Sequence, residues 1–349
     1  MSASILVSFM WARVTDLLDG LVPGISSLSV VVCVDGVERF HHTVGCARLD
    51  PQRAAEPDQV YDLASLTKAL VGSTVAAALA AEARLDLDAT VPGAPPGVTT
   101  LQLLQHVSGW PAWAPLYGNQ ENPGTPATRE RIIDAAFAVA PVATAGTRYA
   151  YSDVGFVALL RVLERAGGAP LDVLFQRLIC DRAGMDVRFG WPGAAATELC
   201  PLRGRMIEGE VHDPNAWWMG GICAHAGLFG SARAVAGLCD ALRVSVERGD
   251  AALAGPDLRR LWNCRGLGSH VGGWDTPSRG GYTSTGASFP DDAVGHLGYT
   301  GTSAWIVPSR RTVVVVLTNR IHPVDDKAAI RAARPVIHDA VAAALGWTS

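Results

Sequence analysis

Ala64 to Ala81, ASLTKALVGSTVAAALAA, contains one ionisable side chain, Lys68, in a run of small apolar residues. A helix buried on most sides reads this way, because a surface helix would carry a polar stripe. Ser65 stands three residues before Lys68, and the i, i+3 spacing puts hydroxyl and amine side by side on one helical face. Burial disfavours an ammonium, so the expectation is an amine of lowered pKa that takes the serine proton near neutral pH. With Ser65 opening the helix, unpaired N–H groups and the helix dipole would hold an oxyanion beside it. Ser65, Lys68, Ser73 and Thr74 interrupt the run too often for a membrane span.

Two later segments add to this pair. In GTRYAYSDVGFVALLRVLE, Gly146 and Thr147 give a loop and an apolar helix follows, so Tyr151 lies at a loop-to-helix junction from which it can enter a cleft. His296-Leu297-Gly298-Tyr299-Thr300-Gly301-Thr302 precedes a strand at Ala304–Val307, and its glycines allow close approach to the backbone. Each has a plain reading alone: S-x-x-K recurs by chance, Tyr151 would be a core tyrosine, and His296 a loop histidine. Their order and spacing carry the signal.

Taken together, these motifs resemble the serine β-lactamase and penicillin-binding protein superfamily, in the class C-like branch that includes family VIII esterases and D-amino-acid peptidases. LLQHVSGWP (103 to 111), VHDPNAW (211 to 217) and HAGLFGSA (225 to 232) extend the resemblance over roughly residues 25 to 345. It implies that Ser65 is the nucleophile, that Lys68 and Tyr151 relay its proton, and that the N–H groups of Ser65 and Tyr299 form the oxyanion hole. Asp153 stands where many members carry Asn; it would either hold Lys68 by charge and raise its pKa, or point elsewhere. His296, Leu297 and Gly298 match the third motif. Leu297 lacks the hydroxyl with which relatives bind a substrate carboxylate, which shifts the expectation towards neutral esters, amides or acyl-transfer substrates. Arg320 is a candidate partner for such a carboxylate, with an ordinary strand-end charge as the plainer reading.

The architecture can be argued from the residues. Ser29–Val34, Asp35-Gly36 and Val37–Val44 read as a hairpin, and Ala304–Val307 with Thr312–Thr318 as a second antiparallel pair. Val313–Leu317 is apolar on both faces, as a covered central strand should be. The expected fold is α/β of the α+β type: an antiparallel sheet domain from residues 1–60 and 270–349, flanked by helices at Trp11–Leu21 and Asp325–Leu345, with a mainly helical region, 61–269, inserted. Glycine- and proline-rich loops are expected at Val91–Gly97 and at 119–128.

The chain has 349 residues, 18% charged and 49% apolar, with net charge −4, which favours neither disorder nor a nucleic-acid partner. Seven scattered cysteines without C-x-x-C spacing, and an N-terminus without a secretory pattern, read as a cytoplasmic protein. No cofactor or metal is expected: His212, Asp213 and His225 read as a cleft wall, His106 as a loop anchor, and Ser231 as a helix cap. Trp110, Trp113, Trp217, Trp218 and Trp274 flank the motifs and are candidates for an apolar acyl pocket. The expected activity is that of a serine hydrolase working through an acyl-enzyme on a small ester or amide, foremost an esterase. An acyltransferase, a D-amino-acid peptidase or β-lactamase, and a non-hydrolytic acyl-binding sensor are the alternatives. No G-x-S-x-G elbow supports a Ser-His-Asp hydrolase, and the acyl acceptor and oligomeric state are left open.

Overall fold

The valine-rich runs at 30–34 and 313–316 lie side by side at the centre of a six-stranded antiparallel sheet, with Val32 opposite Val314. The computed structural model describes residues 3–22, 24–118, 121–278 and 280–347; Asn119 and Gln120, the first residues of the loop expected up to Thr128, lie outside it. In chain order the elements that frame the site are α1 (Ala3–Leu21), β1 (Ser27–Val34), β2 (Val37–Arg48), β3 (Arg53–Ala54), β4 (Val60–Asp62), α2 (Thr74–Ala81), α3 (Asp153–Gly167), β5 (Arg188–Phe189), β6 (Leu228–Ser231), α4 (Ala232–Arg248), β7 (Val294–Leu297), β8 (Ser303–Val307), β9 (Thr312–Thr318) and α5 (Lys327–Ala344). The large sheet runs β3-β2-β1-β9-β8-β7, and a small one runs β4-β6-β5.

Asp35 and Gly36 both have positive φ, 53° and 75°, the conformation that turns β1 directly into β2. Side chains alternate across the sheet, as a period of two requires. Val30, Val32, Val314 and Val316 pack outward against Val14 and Leu18 of α1 and Ile337 and Val341 of α5. Val31, Val313 and Val315 face inward, where α2, α3 and α4 complete the larger core. Ser231 caps α4 by accepting the Ala234 N–H at 3.3 Å. Among the described residues no helix is long and apolar enough to cross a membrane.

His338 of α5 is buried in the outer layer, donating Nδ1–H to the Ser284 carbonyl at 2.7 Å beside the Phe289 ring. Burial pushes its pKa down to about 4. A histidine whose folded pKa is depressed takes up its proton more readily when unfolded, so stability is lost as pH falls below the unfolded value, about 6.5, until the folded value is reached. Acidification from pH 7 to pH 4 should therefore cost the native state roughly 3 kcal/mol through this one group. Denaturant titrations at both pH values should show a smaller acid loss in His338→Gln than in the wild type. Equal losses would mean that His338 is protonated in the fold.

Candidate active site

The Ser65 segment begins where β4 ends. Asp62 is buried, and its carboxylate accepts the N–H of Ala64 at 2.8 Å through Oδ1 and that of His212 at 2.7 Å through Oδ2. Ala64 takes a positive φ of 48°, an uncommon conformation for a residue with a Cβ, and the chain turns sharply there into the helix. The N–H groups of Leu66, Thr67 and Lys68 close tight turns onto the carbonyls of Leu63, Ala64 and Ser65. The expected helix is not uniform: Lys68–Ser73 is a π-helical segment and only Thr74–Ala81 is α-helical. Such wide turns are frequent at functional sites. At Gly72 a Cβ would sit 3.3 Å from the Ala224 carbonyl oxygen, so glycine lets the 224–225 bend close in on the lysine.

Lys68 is fully buried. Its Nζ lies 3.0 Å from Ser65 Oγ, 3.4 Å from the His225 carbonyl oxygen and 2.7 Å from Asp153 Oδ1, and 4.7 Å over the Tyr151 ring. The expectation of a lowered lysine pKa is overturned here. Burial does act against the ammonium, but the charge of Asp153, reinforced by Tyr151, outweighs it and holds the lysine protonated above its usual range. Tyr151 is half-buried at the cavity wall. Burial raises its pKa, while Lys68 pulls the other way and Asp153 adds to the rise.

Tyr151 is held by its neighbours. Ser152 caps α3 by accepting the Gly155 N–H at 3.0 Å, and the Asp153 N–H donates to the Ala112 carbonyl at 2.8 Å. His106 Nδ1 accepts the Ser152 N–H at 2.9 Å, which places the proton of the neutral ring on Nε2, and its carbonyl accepts the Ala150 N–H at 2.9 Å. The His106, His270 and His296 rings pack 4.5, 5.4 and 6.0 Å from the Tyr151 ring. Burial pushes all three histidines below their usual pKa, and Lys68 adds to it, while Asp275 opposes it at His270. The Tyr149 hydroxyl meets His270 Nδ1 at 2.7 Å. Neither Tyr149 nor His270 is singled out by sequence pattern; both come from loops without periodicity.

The third motif divides. His296 stands behind Tyr151, its Nδ1–H donating to the Leu297 carbonyl at 2.7 Å, and does not line the cavity. Leu297, expected to replace a substrate-reading hydroxyl, packs instead against the outer cluster between sheet and terminal helices, on the face opposite His296. It therefore gives no ground for excluding a carboxylate. Gly298 lies on the nucleophile segment: a Cβ there would be 2.7 Å from the Leu63 carbonyl oxygen and 2.0 Å from Thr302 Oγ1. Thr300 and Thr302 donate their hydroxyls to the carbonyls of Asp62 and Leu63 at 2.7 and 3.1 Å, clamping the turn beside Ser65. Tyr299 lines the cavity with its ring stacked on His212. Among the described residues the N–H groups of Ser65 and Tyr299 have no intramolecular acceptor, the state an oxyanion hole requires. Arg320, the candidate carboxylate partner, is committed elsewhere: it pairs with Asp325, donates Nε–H to the Tyr299 carbonyl at 2.8 Å, and lies 4.7 Å over the Tyr299 ring.

One cavity of about 320 Å³ gathers Ser65, Tyr151, Asp153, His212, Asp213, His225, Tyr299 and Trp113. Of the tryptophans considered, Trp113 alone is on its wall, while Trp110 and Trp274 are core residues. His225 Nε2 bonds Asp213 Oδ1 at 2.8 Å, and its Nδ1 lies 3.0 Å from Cys223 Sγ. Burial opposes charge on both, yet the Cys223 sulfur and then Asp213 carry His225 well above its usual pKa, and His225 in turn draws Asp213 down to about 2. Among the described residues no group of three or more His, Cys, Asp or Glu side chains is placed to hold a metal ion.

The chain matches the beta-lactamase family over residues 14–337. A protein of Salmonella paratyphi A, provisionally named a D-alanyl-D-alanine carboxypeptidase, is 28% identical over 317 residues, covering 77% of this chain and 71% of its own. The D-amino acid amidase of Ochrobactrum anthropi superposes with a TM-score of 0.72 at 18% identity, covering 97% of both chains. EstCE1, a hydrolase with promiscuous acyltransferase activity, gives 0.71 at 19% identity over 95% of this chain and 99% of its own. A family match across nearly the whole chain, on a fold shared with amidase and hydrolase structures, makes this protein a member of the beta-lactamase family.

Proposed function

We propose that this protein is a serine hydrolase that forms an acyl-enzyme on Ser65 from an ester or amide, with ester hydrolysis as its main activity. The observation that carries the reading is the buried Lys68 ammonium 3.0 Å from Ser65 Oγ and packed on Tyr151 in a cavity of substrate size. The seven unpaired thiols support a reducing compartment for it.

Because Asp153 keeps Lys68 charged, the lysine serves as a fixed cation and Tyr151 as the proton acceptor. Burial keeps its phenolate scarce at neutral pH and strongly basic once formed. As Ser65 Oγ bonds to the substrate carbonyl carbon, its proton passes to the Tyr151 oxygen. The carbonyl oxygen becomes an oxyanion facing the N–H groups of Ser65 and Tyr299. Collapse breaks the bond to the leaving alcohol or amine, which takes the proton back from Tyr151. Water then repeats the sequence to release the acid. Lys68, His225 and Arg320 each face their own aspartate, so none of the three is free to bind a substrate carboxylate. These pairings, rather than Leu297, favour neutral esters, and they weigh against a carboxypeptidase specificity.

Ser65→Ala should lose both ester turnover and labelling by a serine-directed phosphonate, as read by intact-protein mass spectrometry. Full activity in that variant would sink the assignment. Lys68→Ala and Tyr151→Phe should each cost on the order of 10²-fold to 10⁴-fold in kcat/KM, and the double variant far less than the product, because the two form one proton-transfer unit.

The pH profile of Asp153→Asn tests the division of roles. Loss of the aspartate removes a charge that opposes the phenolate, so the rising limb of kcat/KM should move to lower pH. It also removes the counter-charge of Lys68, leaving burial to depress the lysine, so a falling limb should appear at alkaline pH as the ammonium is lost. A rising limb alone, with activity persisting at high pH, would identify neutral lysine as the base.

A further inference from the structure

The cavity in front of Ser65 contains matched charges but does not present them equally. The side chains of Lys68 and His225 are 0% and 2% exposed, whereas their partners Asp153 and Asp213 are 22% and 19% exposed. The positive charges are thus sealed behind the wall, and what a substrate meets is carboxylate oxygen. Asp213 is the clearer case. Its Oδ1 accepts both the His225 Nε2–H at 2.8 Å and the Ala216 N–H at 2.7 Å, while its Oδ2 has no hydrogen-bond partner among the described residues. The aspartate is fixed from two sides, ionised at neutral pH, and left with one oxygen to offer. The exposed Trp113 ring on the same wall is compatible with a cation and its apolar substituents.

We propose that Asp213 selects substrates whose acyl group carries a protonated amine, so that the preferred substrate is an ester or amide of an amino acid with its amino group free. This rests on the serine-hydrolase reading of the same cavity. The ammonium takes no part in bond making. It docks against Asp213 Oδ2 while the neighbouring carbonyl accepts Ser65 Oγ, the ester or amide bond breaks, and the leaving group departs with the serine proton. His225 acts as a positioning residue: it turns Oδ1 away from the substrate and keeps Oδ2 forward. Its Nδ1 contact with Cys223 and its burial fix the ring for that task.

The test uses the whole chain with two esters that differ only by the α-ammonium group, alanine ethyl ester, in both enantiomers, and ethyl propanoate, followed at neutral pH by base consumption. For at least one enantiomer the wild type should show a kcat/KM about tenfold or more above that of ethyl propanoate, expressed mainly in KM, as one ion contact in a partly desolvated site gives. In Asp213→Asn, which keeps an oxygen for the Ala216 cap, that ratio should fall to near one. In a second measurement on the wild type alone, 2-phenylethylammonium should inhibit propanoate hydrolysis competitively and 3-phenylpropanoate should not. Ethyl propanoate turned over as fast as the alanine esters, or stronger inhibition by the carboxylate, would overturn the role of Asp213 while leaving Ser65-dependent hydrolysis standing. No turnover of any ester together with no phosphonate labelling of Ser65 would overturn both. If Asp213→Asn fails to fold, the inhibitor comparison decides the matter by itself.

Discussion

A whole positive charge sealed from solvent is the constraint around which the rest of this molecule is arranged. Removing an ammonium from water costs several kcal/mol even after relaxation, and Lys68 recovers this only through groups brought to it from separate parts of the chain. Asp153 arrives on the first turn of α3, the His225 carbonyl on the segment before β6, and the Tyr151 ring on the loop held by His106. Each must be correctly placed for the others to be tolerable. The glycine at position 72 and the π-helical widening at Lys68–Ser73 are the local means by which the helix admits these partners.

Much of this was legible in the chain because it rests on short-range chemistry. The hairpin at Asp35-Gly36 follows from turn geometry, and the pairing of the valine runs from their β-branched, two-faced apolar character. Ser65, Lys68 and Tyr151 declare themselves through spacing and through the isolation of the lysine. What stayed hidden depends on direction rather than composition. Whether Asp153 turns towards Lys68 or away decides the charge of the site, and a helix-start aspartate has the same sequence signature either way. Leu297 and His296 are adjacent, so one residue of strand register decides which of them packs behind Tyr151 and which against the outer helices. Tyr149 and His270 sit in irregular segments where no periodicity marks a face.

The ionic groups near the cavity follow one pattern: Lys68 with Asp153, His225 with Asp213, Arg320 with Asp325. Pairing of this kind gives little net stability, since desolvation offsets attraction. Its effect is orientation. Arg320 fixes the Tyr299 backbone through its carbonyl, and His225 fixes Asp213, so the polar wall is set before any substrate arrives. A preorganised wall avoids reorganisation when charge develops during reaction.

The two threonine clamps, Thr300 to Asp62 and Thr302 to Leu63, join residues 238 and 239 positions apart. They lie next to the still more distant pairing of Leu28 with Thr318. Contacts of such sequence separation are the slowest for a chain to form, because loop closure must precede any gain from them. The arrangement around Ser65 is therefore among the last features the folding chain acquires, and the N-terminal part of the protein, emerging first during synthesis, carries Ser65 without Tyr299 beside it until the final strands are in place. Competence of the site and completion of the fold are a single event.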